Sequence, residues 1–186
     1  MKKDFGVKTA LYPQPVTLIS TYNDDGSVDV MNAAWVGISD FDKINLCLSK
    51  DHATVKNILK RKGLVINIAD VKHVKEADYF GLVSANTHKD KFIKSGLTVT
   101  KSSLVDAPLI NELNLAIECE LLNYDKESEI MSVKILNVKI DESVLDKAGH
   151  LDVKKLDPIT FDTLNGAYIR LGDKVADAFK IGKEIK

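Results

Sequence analysis

A chain of 186 residues with 45% apolar and 28% charged side chains is long enough for one domain with a substantial core, and too apolar to stay disordered. The formal net charge of -1 excludes a general electrostatic attraction to nucleic acid or acidic membranes and leaves only a local basic patch open. No stretch approaches the ~20 apolar residues of a bilayer-spanning helix. Residues 1–6 carry Lys2 and Lys3 with no apolar run behind them, so no secretory signal is read there. The expectation is one domain over residues 1–186, cytoplasmic, with no membrane and no nucleic-acid partner.

Residues 15–22 are rich in β-branched and aromatic side chains and predict a strand. Residues 23–26 predict a turn, with Gly26 free to take a positive φ, and 28–35 predict the partner strand. In 44–49, Ile44, Leu46 and Leu48 share one face of a third strand. Asp51 is placed to cap a helix whose apolar stripe is Val55, Ile58 and Leu59, with Lys60, Arg61 and Lys62 at its C-terminal end and Gly63 as its stop. Residues 64–68 predict a fourth strand. Two helical pieces follow at 74–79 and 88–94, the second ended by Gly96. Residues 97–112 read as an excursion with little regular structure, broken by Pro108.

The last β signal is a long hairpin. Leu113, Leu115, Ile117, Cys119 and Leu121 face one way, and Asn114, Ala116, Glu118 and Glu120 the other. After a turn at 125–129, the return strand carries Met131, Val133 and Ile135 in one phase and Leu136, Val138 and Ile140 in the other, which predicts a β-bulge. Six strands without βαβ alternation disfavour a doubly wound sheet. The expected class is mainly β: a six-stranded antiparallel Greek-key barrel with peripheral helices.

Three segments carry candidate chemistry. Ser49, Lys50 and Thr54 lie where a strand passes into a helix N-terminus, where free N–H groups and the dipole favour an anion. With a full charge and two hydroxyls they suit a phosphate monoester, and a plain capped helix start is the competing reading. Met31, Asn32, Ala33, Ala34 and Trp35 end a strand with small residues, which suits the approach of a flat ligand or simply close packing. Residues 83–92, with Val83, Ser84, Lys89 and Phe92, either complete a phosphate site or form a solvated loop. Cys47 and Cys119 read as buried, reduced thiols, and no His or Cys has metal-ligand spacing. No His-Glu-x-x-His, Gly-x-Ser-x-Gly, Walker loop or Gly-x-Gly-x-x-Gly occurs, so any nicotinamide is not held by a Rossmann unit.

The succession Pro15-Val16, Ile19-Ser20-Thr21-Tyr22, Asn32-Ala33-Ala34-Trp35, Ser49-Lys50, His52-Ala53-Thr54, Asn57-Ile58 and Val65-Ile66-Asn67-Ile68 resembles the flavin reductase-like, FMN-binding split-barrel family, and within it looks most like the flavoredoxins. The resemblance continues through Ala77-Asp78-Tyr79-Phe80-Gly81, Asp90-Lys91-Phe92, residues 104–108, Tyr168, Leu171-Gly172 and Ala178-Phe179. It implies a homodimer of six-stranded Greek-key barrels with one FMN near the interface in each half. By that resemblance Asn32 to Trp35 meet the isoalloxazine ring, and Ser49, Lys50 and Thr54 hold the phosphate. Ser84 and residues 89–92 close over the phosphate or ribityl side, and Tyr168 lies near the flavin. The family often has Arg where this chain has Lys50, which supplies charge without a bidentate fork. The implied activity moves electrons from NAD(P)H or a redox partner protein through FMN to free flavin or another acceptor. The competing classes are a flavin binder without nicotinamide activity (a sensor, store or carrier) and a structural dimer with an empty barrel.

Overall fold

The computed structural model describes residues 1–185. In chain order the elements are β1 (Gln14–Pro15), β2 (Thr17–Tyr22), β3 (Val28–Ala33), β4 (Val36–Asp40), β5 (Lys43–Cys47), α1 (Ala53–Arg61), β6 (Gly63–Ile68), α2 (Val74–Leu82) and α3 (Lys91–Ser95). They continue with β7 (Val99–Lys101), β8 (Pro108–Ile110), β9 (Leu115–Asp125), β10 (Ile130–Ile140), α4 (Val153–Leu156), β11 (Ile159–Asp162) and β12 (Ala167–Arg170).

Seven strands form one antiparallel sheet in the order β3-β2-β6-β9-β10-β5-β4. Its two edges, β3 and β4, are consecutive in the chain and separated only by Ala34 and Trp35. So short a link forces the sheet to curl until its edges approach, which makes a barrel that is split rather than closed. The curl encloses Ile19, Leu46, Leu64, Ile66, Cys119, Met131 and Val133. α1 plugs it with Val55 and Ile58, both fully buried. The apolar stripe of α1 thus has its partner inside the barrel, as its spacing requires.

A second core lies on the outer side of β2 and β3. There Val16, Leu18 and Val30 meet Ala77 and Phe80 of α2, Phe92 of α3, Ile110 of β8 and Ile159 of β11. β2 is therefore covered on both faces, and its hydroxyls bond internally: Thr17 Oγ1 donates to Ala33 O at 2.7 Å and Ser20 Oγ to Pro108 O at 2.6 Å. Buried hydroxyls are tolerated when they are paired in this way.

Several expectations change. The chain has twelve strands rather than six among the described residues: β4 was not read, and neither was the sheet β1-β11-β12 near the termini. Residues 97–112 contain the pair β7–β8, which lies over the outer face of β6 and β9. This cover buries part of the polar face of β9, while Glu120 at its far end stays exposed. Ala116 is buried against Val65 and Ala107, and the fully buried Glu118 accepts from Ser102 Oγ at 2.5 Å and Asn137 Nδ2 at 2.8 Å. Asp51 does not cap α1; His52 is the N-cap and makes no side-chain bond there. Lys62, not Gly63, takes the left-handed conformation after α1, at φ 60. Gly63 is needed for space, since a Cβ there would sit 3.0 Å from Val105 Cβ. The helix read at 88–94 starts later, at Lys91. The phase switch in the return strand is a bulge, with the β9–β10 register shifting between Ile135 and Asn137.

Cys119 is buried and Cys47 exposed, against the reading of two buried thiols. Cys47 points away from the core on β5, on the face opposite Ile44 and Leu46. Burial, and then the neighbouring Glu118 carboxylate, push the Cys119 thiol up to about 12. At about pH 8 a thiol reagent is therefore expected to label one cysteine in native protein and two in denaturant. Fast labelling of both in the native state would contradict this core.

Candidate functional site

A cavity of about 150 Å³ opens where β3, the start of α1, the C-terminal end of α2 and α3 converge. β3 contributes Met31 and Asn32, and the α1 start contributes His52, Ala53 and Thr54. Residues 80–85 close one side, and Lys91 of α3 reaches it from another. The second core positions these pieces. Phe80 stacks on Phe92 with ring centroids 6.4 Å apart, which locks α2 to α3 beside β3. Asn32 is fixed by donating from Nδ2 to Ala77 O at 2.8 Å. Gly81 packs beside it, where even a Cβ would stand only 3.6 Å from Asn32 Cβ.

The donor set fits a phosphate ester. α1 has no side-chain cap and no acidic residue in its first turn, so its leading N–H groups keep their partial positive charge at the cavity wall. Ser84 adds a hydroxyl and Lys91 an ammonium. Behind the wall lies Asp29 of β3, 0% exposed. Its Oδ2 accepts from Thr54 Oγ1 at 2.5 Å, and its Oδ1 lies 3.1 Å from the Nζ of Lys91, which is 3% exposed. Oδ1 has no aligned hydrogen-bond donor, so the ammonium charge alone compensates it.

Of the residues singled out in the sequence, the cavity gathers Met31, Asn32, Thr54, Val83 and Ser84. The others stand elsewhere. Ala33 belongs to the barrel core, and Ala34 and Trp35 form the link between the sheet edges, with Trp35 51% exposed. Ser49 Oγ and the Lys50 N–H both donate to Glu129 Oε1 at 3.0 Å. Those two donors, and the Lys50 and His52 charges, hold the Glu129 carboxyl below its ordinary range. Lys89 is exposed and Phe92 lies in the second core. Tyr168 donates to Asp78 Oδ1 at 2.9 Å. Burial, and then that bond, push its phenol up to about 12, so it is a donor at neutral pH.

The residue-by-residue reading of the sequence had no role for Phe80, Gly81, Leu82 or Asp29, while His52, Ala53, Ala85 and Lys91 lay inside the two segments read as possible phosphate sites without being singled out. Phe80, Gly81 and Lys91 fall inside motifs that carry the resemblance, so a signal for them existed. Asp29 gives none, because an acid between Val28 and Val30 reads as an outward-facing residue of an edge strand. Among the described residues no cluster of His, Cys, Asp and Glu is suited to hold a metal. None of the described helices is long and apolar enough to cross a membrane.

A curled antiparallel sheet plugged by one helix, with a cavity at that helix's N-terminus, is the split barrel of the flavin reductase type. The chain belongs to the flavin reductase like domain family, whose model matches residues 9–160. It is similar to the flavoredoxin of Desulfovibrio vulgaris (Miyazaki F), with 36% identity and a TM-score of 0.93 over 98% of this chain and 100% of that one. It shares its fold with an FMN-binding domain of a flavin reductases-like enzyme from Shewanella baltica OS155 (19% identity, TM-score 0.79, covering 88% and 89% of the two chains). A curated relative, an uncharacterized protein of Aeropyrum pernix, is 28% identical over 119 residues, which is 63% of this chain and 45% of that one. The chain therefore spans less than half the length of that relative.

Proposed function

We propose that this chain is an FMN-binding electron-transfer protein that works as a homodimer. The observation that carries the reading is the cavity at the uncapped start of α1, with Ser84 and Lys91 converging on it inside a chain of the flavin reductase like domain family. FMN would supply the hydride and single-electron chemistry, and the protein would bind and orient it.

The leading N–H groups of α1 at Ala53 and Thr54, with Ser84 and Lys91, would hold the phosphate. Asn32, fixed by Ala77 and packed beside Gly81, would read the polar edge of the flavin arm. At about 150 Å³ the cavity is below the ~300–1,000 Å³ of whole-ligand pockets. It therefore suits the phosphoribityl arm, with the ring lying over the open surface beside Ala34 and Trp35. Ile38 and Phe41 are strongly exposed near the same sheet edge, and Trp35 is half exposed. A second copy seated there would cover this apolar surface and exclude water from the ring. Lys50 and Ser49 would join the phosphate by exchanging Glu129 for it.

The electron donor is NADH, NADPH or a partner redox protein, and the acceptor is free flavin or another protein. Purified protein is expected to carry a flavin absorption band and to release FMN on denaturation. The band should bleach anaerobically with one nicotinamide. Bound flavin that neither nucleotide bleaches would leave a carrier reduced by a partner protein, and a colourless protein that takes up no added FMN would overturn the reading.

A further inference from the structure

We propose that Asp29 is an internal counter-anion of the phosphate pocket, which rests on the FMN reading and specifies how its affinity is set. Both cavity donors nearest to Asp29 are committed to it. The single hydroxyl proton of Thr54 lies in the 2.5 Å bond to Oδ2. Toward the cavity the Thr54 hydroxyl can then offer only lone pairs, which repel a phosphate oxygen. The Lys91 ammonium stands 3.1 Å from Oδ1 and, among the described residues, otherwise reaches only Val83 O, at 3.4 Å. An arriving phosphate must take both donors from Asp29 or share them with it.

Asp29 therefore acts in two opposite ways. In the free protein it compensates an ammonium that is only 3% exposed, which a buried charge requires. In the complex it is a fixed negative charge one hydrogen bond behind the ligand, in a region where charges are poorly screened. It stabilises the free state and weakens the bound one, and so keeps the phosphate ester from being held as tightly as the donor set allows. Nothing in this role requires Asp29 to touch the ligand; it is a positioning residue acting through Thr54 and Lys91.

The test is Asp29→Asn, which keeps the shape, removes the charge and releases one of the two donors. Riboflavin, which lacks the phosphate, is the control. The variant is expected to bind FMN at least about tenfold more tightly, equivalent to about 1.4 kcal/mol, with riboflavin affinity unchanged. The ligand-free variant should melt at a lower temperature, and inorganic phosphate should raise its Tm more than it raises that of the wild type. Asp29→Ser, also neutral and hydrogen-bonding, should move the FMN-to-riboflavin ratio in the same direction, and serves if Asp29→Asn does not accumulate. If wild type prefers FMN over riboflavin and neither variant widens that preference, the counter-anion role is wrong. If wild type shows no preference, the phosphate pocket itself fails and the role falls with it.

Discussion

Lys91→Met is expected to destabilise the protein by about 3–5 kcal/mol, because it leaves the Asp29 carboxylate buried without its compensating charge. Asp29 is 0% exposed, and among the described residues the ammonium is the only group near Oδ1 that offsets it. Thr54 still donates to Oδ2, but one hydroxyl cannot replace an ion. The loss is read as a drop in the urea midpoint followed by far-UV circular dichroism, at unchanged slope. The double variant Lys91→Met with Asp29→Asn should recover most of it, since the pair then contains no charge. Such non-additivity is the mark of a coupled pair. A loss below about 1 kcal/mol in the single variant would mean that water reaches the pair, contrary to the burial found here.

Ile58→Ala is expected to cost about 2–5 kcal/mol, the range for deleting a large aliphatic side chain from a closed core. Ile58 is fully buried inside the curl, where it packs with Val55 among Leu46, Leu64 and Met131. The effect reaches the site because the same helix supplies the cavity wall at Ala53 and Thr54. A helix held less firmly in the barrel presents its first-turn N–H groups less firmly to a ligand. Amide exchange at residues 53–56 should speed up along with the loss of global stability, and FMN should bind more weakly. Destabilisation with unchanged exchange at those amides would separate the plug from the site.

The barrel half of the molecule was largely legible in the sequence. Alternation in 44–49 located the buried Ile44, Leu46 and Leu48, and the phase switch after Ile135 located a bulge. These signals are local, since a period of two or a change of phase is written in adjacent residues. The cover of the sheet was not legible. Residues 97–112 have weak periodicity because β7 and β8 are only three residues long each, too short for any pattern to emerge. Their presence buries Glu118, a charged residue on the face opposite the apolar side chains of β9.

The candidate site divides along the same line. Asn32, Thr54 and Ser84 were singled out at a strand end, a helix start and a loop respectively, and the cavity brings them together. Ser49 and Lys50 were found by the same reasoning and instead hold Glu129, a residue of the β9–β10 turn some eighty positions away. Tyr168 was placed by resemblance near the flavin. It bonds Asp78 beside Asn32, an arrangement that required β12 and α2 to meet.

By itself the sequence determined the class of the fold, the helix that plugs it and the short segments that face its open end, because each depends on neighbours in the chain. Only the tertiary structure decided which donors are free. Asp29, Thr54 and Lys91 are spread over sixty positions, and no local rule relates an acid on one strand to a hydroxyl on α1 and an ammonium on α3. Their pairing follows from α1, which plugs the barrel, and α3, which packs in the second core, both meeting β3. It assigns the Thr54 proton and the Lys91 charge to Asp29 rather than to the cavity.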